Sequence, residues 1–196
     1  LPGEFDLTPH LSKGDNLIAL KVMRYSDTSF IEDQDQWWHA GIHRPIRISR
    51  RPTVHLRDIY ATSDFDPQSK SADLKVLIKL HDESRSALGH EVNVALYEQG
   101  STKNLTPNLI GSVERSKFYP VTGRGAEIDL KRALKRVKPW SSEHPHLYDL
   151  IVTLKHPQGR VLEVSKLRIG FRRIEIKDRA LLINDQVVLI RGVNRH

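Results

Sequence analysis

The chain has 196 residues, 38% of them hydrophobic and 28% charged, a balance that excludes a disordered or fibrous chain and allows one or two globular domains. It has no cysteine, which rules out disulfides, thiolate catalysis and Cys-ligated zinc. A net charge of +7 raises nucleic acid as a partner, but the basic residues alternate with apolar ones (Arg44, Arg47, Arg50) or crowd one surface (Lys131, Arg132, Lys135, Arg136, Lys138) without interleaved aromatic rings, so solvated faces are the reading adopted and no nucleic acid is expected.

In chain order, Leu1 to Phe5 lacks the basic and apolar regions of a signal peptide, and no apolar run approaches the ~20 residues that span a bilayer. A start at Leu1 reads as a piece of something longer. The turn signal Ser12–Asn16 precedes a first period-two run, Ile18, Leu20 and Val22. An acidic run, Glu32-Asp33-Gln34-Asp35, then stands beside Trp37-Trp38 and Gly41. Three carboxylates within four residues repel unless solvent, a cation or basic partners neutralise them. Indole faces beside carboxylates suit the apolar side of a sugar ring, and the same composition fits an acidic loop over core tryptophans.

A second alternating run holds Ile46 and Ile48, and Arg50-Arg51-Pro52 marks a boundary, since proline disfavours continued pairing. Alternation resumes at Leu74, Val76, Ile78 and Leu80, at Val92, Val94 and Leu96, and at Tyr148, Leu150, Val152 and Leu154. His156-Pro157-Gln158-Gly159 reads as a hairpin link to a strand around 161–169. The short segment Leu130, Leu134, Val137 offers a helical option. Many short strands with turns between them predict a β-sandwich. Trp140 to Tyr148, with Pro145, reads as a fixed turn entering a strand.

After a boundary near Arg172 comes a compact unit: Ile174–Ile176, a turn, Leu181–Ile183, the turn Asn184-Asp185, and Val187–Ile190. The closing run Arg191-Gly192-Val193-Asn194-Arg195-His196 has the form of a strand ending in site residues at a barrel mouth, or of a strand that simply ends in polar residues. The histidines show no trustworthy metal spacing: His39 and His43 are four apart, but Gly41 and the strand context argue against a shared helical face. No phosphate-binding glycine loop, nucleophile elbow or kinase motif is present.

Taken in order, Phe5-Asp6-Leu7-Thr8, Arg24-Tyr25-Ser26-Asp27, Glu32 to Trp38 with Gly41-Ile42, Trp140 to Pro145 with Leu147-Tyr148, Gly170-Phe171-Arg172 with Ile174-Glu175-Ile176, Leu182-Ile183-Asn184 and Arg191 to His196 resemble glycoside hydrolase family 2, most closely its large bacterial lac-type β-galactosidases. The resemblance covers nearly the whole chain and is weakest between residues 64 and 125.

That resemblance implies a mainly β architecture: the C-terminal part of a jelly-roll sugar-binding domain over residues 1–51, an immunoglobulin-like β-sandwich over 52–172, and the start of a (β/α)8 catalytic barrel over 173–196, its first strand ending at His196. It implies a retaining β-galactosidase acting on terminal non-reducing β-D-galactose, with a β-glucuronidase or β-mannosidase relative, or a non-catalytic carbohydrate-binding module, as alternatives. By the same resemblance Asp35 binds sodium and the galactose 6-hydroxyl, and His196 contacts sugar hydroxyls as the transition state develops. The two catalytic glutamates and the magnesium ligands fall beyond His196, so the chain alone is expected to be inactive. A cytoplasmic, tetrameric parent is implied as well. Two departures stand out: Gln36 where relatives carry an apolar residue, and Asp185-Gln186 in place of a Gly-Lys-type turn.

Overall fold

The computed structural model describes residues 3–31, 41–82, 86–114 and 125–194. It divides into two compact units, residues 1–49 and 50–196.

The second unit holds the ladders. Strands β1 (His55–Asp66), β2 (Ser71–His81) and β5 (Ala126–Lys135) form one antiparallel sheet in the order β1-β2-β5. Strands β3 (Glu91–Glu98), β4 (Ile110–Ser112), β6 (Tyr148–Lys155) and β7 (Val161–Ile169) form a second, in the order β4-β3-β6-β7. Side chains alternate between the faces of a strand, so the period-two runs turn one face of each sheet inward. Leu74, Val76, Ile78 and Leu80 of β2, Val92, Val94 and Leu96 of β3, and Leu150, Val152 and Leu154 of β6 are fully buried in one core shared by the two sheets. This is the sandwich that the alternation predicts.

The edges approach each other closely. At one margin, β4 leaves no room for a side chain at Gly111: a Cβ there would stand 2.5 Å from Ile128 Cγ2 and 3.0 Å from Leu130 Cδ2. At the other, Leu56 N–H of β1 donates to Glu163 Oε2 of β7 at 2.8 Å, and Ser63 Oγ–H donates to the Gly170 carbonyl at 3.3 Å. These bonds satisfy edge groups that an unpaired strand would offer to another chain.

The segment with a helical option is strand β5. Spacing of four residues puts Leu130 and Leu134 on one face of a helix, but an even spacing also puts them on one face of a strand. Ten-residue pairing with β2, from Ser71 opposite Lys135 to Leu80 opposite Ala126, decides for the strand.

Beyond the sandwich, β8 (Ile174–Lys177), β9 (Ala180–Ile183) and β10 (Gln186–Val187) form a separate three-stranded meander. Both turns are two-residue links with positive φ at both positions: Asp178 (50°) and Arg179 (64°), then Asn184 (52°) and Asp185 (64°). This is the hairpin conformation whose twist matches the flanking strands. Glycine adopts it most readily, which gives the Gly-Lys-type turn of the resembling family a reason at Asp185.

The first unit differs from its alternating pattern. It contains a 3-10 turn (Thr8–His10) and a short helix α1 (Asp27–Ile31), and its described residues form no strand. Ile18, Leu20, Val22, Ile46 and Ile48 are all exposed. Alternation selects a face, but a strand also needs a hydrogen-bonding neighbour, and the described residues of this unit supply none. Residues 188–194, where the resemblance implies an opening barrel strand, likewise form none.

Candidate functional site

Asp35 and His196, the two site residues that the resemblance singles out, lie outside the described residues, as do Glu32, Asp33, Trp37 and Trp38. What the structure gives is their flanks. Helix α1 ends at Ile31, one residue before the acidic run, and is opened by Ser29 N–H donating to the Ser26 carbonyl at 2.9 Å. Arg24 lies over the Tyr25 ring at 5.2 Å. Gly41, on the far side of the acidic run, has φ 102°, a conformation that L side chains rarely adopt. Before His196, Val193 is 92% exposed.

A concavity of the described residues lies in the second unit. It is an open groove of about 920 Å³ between Tyr60–Asp64 of β1, the end of β7 at Arg168–Gly170, and the link from Arg172 to Glu175, with Trp140 at its wall. Its shape follows from a sequence of close contacts. Phe171 is fully buried and meets the Tyr148 ring edge-on, with centroids 4.9 Å apart. The Tyr148 hydroxyl accepts from Lys138 N–H at 2.8 Å, and burial of the ring pushes its phenol above the ordinary pKa of 10.0. Trp140 N–H donates to the Phe171 carbonyl at 2.8 Å. Gly170 must lack a side chain, since a Cβ there would stand 2.8 Å from Trp140 Cβ and 2.9 Å from Cγ. The Arg172 guanidinium covers the indole at 4.8 Å, a cation–π contact.

The groove is lined by three arginines, Arg168, Arg172 and Arg173, and two carboxylates, and one of those carboxylates is paired. Arg173 Nε donates to Asp64 Oδ1 at 3.0 Å, and that bond is the first cause holding the guanidinium above its ordinary pKa. Glu175 is the other carboxylate of the lining. With Asp64 tied to Arg173, the groove holds no free pair of carboxylates to act as acid and nucleophile. Among the described residues, no group of three or more His, Asp or Glu side chains converges to hold a metal ion. At this groove a stacked and hydrogen-bonded wall joins the sandwich to the β8–β10 sheet.

The sequence had marked Trp140, Gly170–Arg172 and Asn184 as separate motifs, and the structure brings them together. Asn184 Nδ2 donates to the Trp140 carbonyl at 2.9 Å, and Arg173 N–H donates to Asn184 Oδ1 at 3.0 Å. The structure also pairs Arg173 with Asp64, 109 residues apart. Nothing local in the sequence signals it.

Comparison with known proteins follows the same division. Residues 54–172 match the family model described as glycosyl hydrolases family 2, and residues 1–52 match the model described as glycosyl hydrolases family 2, sugar binding domain. Over its whole length the chain is 36% identical to a β-galactosidase of Yersinia enterocolitica and 35% identical to one of Pectobacterium atrosepticum. It spans 19% of the length of each of these curated relatives. Among solved structures, a β-glucuronidase of Parabacteroides merdae superimposes with a TM-score of 0.56 at 24% identity, covering 74% of this chain and 17% of that one. A β-glucuronidase of Bifidobacterium dentium gives 0.56 at 17% identity, covering 68% and 20%. At these identities the structural likeness is one of fold.

Proposed function

Because the chain belongs to glycosyl hydrolases family 2, we propose that it is part of a retaining β-galactosidase that releases terminal non-reducing β-D-galactose from β-galactosides. The observation that carries this reading is the 35–36% identity, sustained over the whole chain, to relatives named β-galactosidase. In this reading residues 1–51 complete a sugar-binding domain, 52–172 are an accessory sandwich, and 173–196 open the catalytic domain.

The chemistry divides accordingly. A retaining glycosidase needs two carboxyl groups roughly 5 Å apart, one as acid/base and one as nucleophile. Both lie beyond His196 in this proposal, as do the magnesium ligands, so the chain alone turns over no substrate. Its own contribution is binding. Asp35 offers hard carboxylate oxygen, the donor type that suits sodium, and accepts the galactose 6-hydroxyl. The His196 imidazole hydrogen-bonds sugar hydroxyls more strongly as the ring approaches the oxocarbenium-like transition state, which lowers the barrier without moving a proton. The longer protein works in the cytoplasm as a tetramer in this proposal. No helix among the described residues is long and apolar enough to cross a membrane.

β-Glucuronidase is the second reading, favoured by the names of the solved structures that share the fold. An aryl β-galactoside, an aryl β-glucuronide and an aryl β-mannoside, assayed side by side on the longer protein, separate these activities. The expected kcat/KM for the galactoside exceeds the others by roughly 10²-fold or more, because a site built around one set of hydroxyls leaves polar groups unpaired against another. Preferred turnover of the glucuronide would retain the family and overturn the substrate.

A further inference from the structure

Trp140, Arg173 and Asn184 converge on one side-chain amide. Asn184 is the first residue of the β9–β10 turn, at φ 52°, a conformation that asparagine tolerates better than most residues. Its amide is used at both ends: Oδ1 accepts from Arg173 N–H at 3.0 Å and Nδ2 donates to the Trp140 carbonyl at 2.9 Å. Its backbone N–H donates to the Arg173 carbonyl at 3.0 Å. Trp140 is in turn fixed to the sandwich through the Phe171 carbonyl, through its close fit over Gly170 and through Arg172 stacked on its ring. The β8–β10 strands form their own sheet, and their hydrogen-bonded ladder joins neither sandwich sheet. Without such a ladder, the orientation of this small sheet depends on contacts at the link: Arg173 bonds Asp64 of β1, and Asn184 spans from Arg173 to Trp140.

We propose that Asn184 is a positioning residue: its amide locks the β8–β10 sheet to the Trp140 wall of the sandwich and so sets the direction in which the chain leaves β10 at Val187. The lock itself stands on the geometry above, while its consequence for catalysis rests on the galactosidase reading. His196 follows Asn184 by twelve positions. In the galactosidase reading the run that follows the turn must be held at the substrate, so a sheet free to turn leaves that run less well placed, and a misplacement of about 1 Å at a reacting group can cost on the order of 10²-fold in rate.

Two variants test it. Asn184→Gly accepts the positive φ and removes both side-chain bonds. Asn184→Asp keeps the acceptor for Arg173 but replaces the amide donor to Trp140. The first readout is 15N relaxation of the 196-residue chain, with the β2, β3 and β6 amides reporting that the sandwich stays folded. In the native chain the β8–β10 amides should be as rigid as those of the sandwich, with order parameters near about 0.85; in both variants they should fall toward about 0.6 while the sandwich is unchanged. A native sheet already moving on its own, or variants as rigid as the native chain, would overturn the lock. The second readout is aryl β-galactoside turnover by the longer protein. Asn184→Gly should lower kcat about 10-fold or more with KM changed by less than about 3-fold, because the contact it positions strengthens in the transition state. An unchanged kcat in an active enzyme would overturn the positioning role. Absence of galactoside turnover in the native longer protein would instead overturn the galactosidase reading, leaving the lock to be decided by relaxation.

Discussion

At residue scale, the contact between Gly170 and Trp140 shows how little space separates fit from strain. A methyl group at position 170 would meet Cβ and Cγ of Trp140 at 2.8 and 2.9 Å. These atoms sit at the root of the side chain, and the indole beyond them is pinned under Arg172 while its backbone bonds Phe171. Neither partner can give way cheaply, so Gly170→Ala is expected to destabilise the sandwich by about 1–3 kcal/mol, the usual range for overpacking a filled site. Urea unfolding of the 196-residue chain measures this. A loss below about 0.5 kcal/mol, the scatter of ordinary surface substitutions, would mean that the wall is not as tightly packed as its geometry states.

At the scale of elements, the margins of the sandwich carry two histidine contacts that make its stability depend on pH. His55 of β1 stacks on His81 of β2, directly across the ladder, with centroids 4.7 Å apart. Burial first, then His81 and Arg51, hold His55 below its ordinary 6.5, against the Pro52 carbonyl and Glu163, which pull the other way. His90, just before β3, is buried against His156, and its Nδ1 has no hydrogen-bond partner among the described residues. Burial is the first cause lowering its pKa too, aided by His156 and opposed by the Ala87 and Leu88 carbonyls and Asp82. Both groups bind protons more weakly folded than unfolded, so stability falls as pH drops below 6.5 and levels off below the folded values. The urea midpoint should therefore be lower at pH 5 than at pH 7.5, and His55→Gln combined with His90→Gln should shrink the difference. A difference that the double variant leaves intact would place the acid sensitivity in other groups.

The strands of the sandwich were legible because their signal is local: Leu74 to Leu80, Val92 to Leu96 and Tyr148 to Leu154 alternate, and each turns its apolar face into the core. Strand β5 was ambiguous because Leu130 and Leu134 satisfy both periods, and only the pairing with β2 resolves them. The pattern of Ile18, Leu20 and Val22 is equally clean, yet those residues stay exposed and outside any ladder. Pairing depends on a partner strand, and an alternating run does not say whether one is present.

At the scale of the whole molecule, the family was legible through ordered motifs rather than through any constellation that folding assembles from the described residues. Asp35 and His196 were reached from the residues around them in sequence, and both lie outside the described structure. The lock around Asn184 was the reverse case: Trp140, Gly170 and Asn184 stood out as motifs, but their meeting is set by tertiary packing across 44 residues and has no local signature. The chain spans 19% of the length of its curated relatives, so a complete active site belongs to the longer protein in the proposed account.

The measurement that bears most directly on that account is the sodium dependence of aryl β-galactoside turnover by the longer protein, with and without Asp35→Ala. If Asp35 holds the ion and the galactose 6-hydroxyl, the native enzyme should lose activity when sodium is replaced by a larger cation. Asp35→Ala should lower kcat/KM by on the order of 10²-fold, as expected for a lost charged hydrogen bond, and should no longer respond to sodium. Galactoside turnover that is the same with alanine at position 35, at every sodium concentration, would contradict the claim that this chain supplies part of the substrate site.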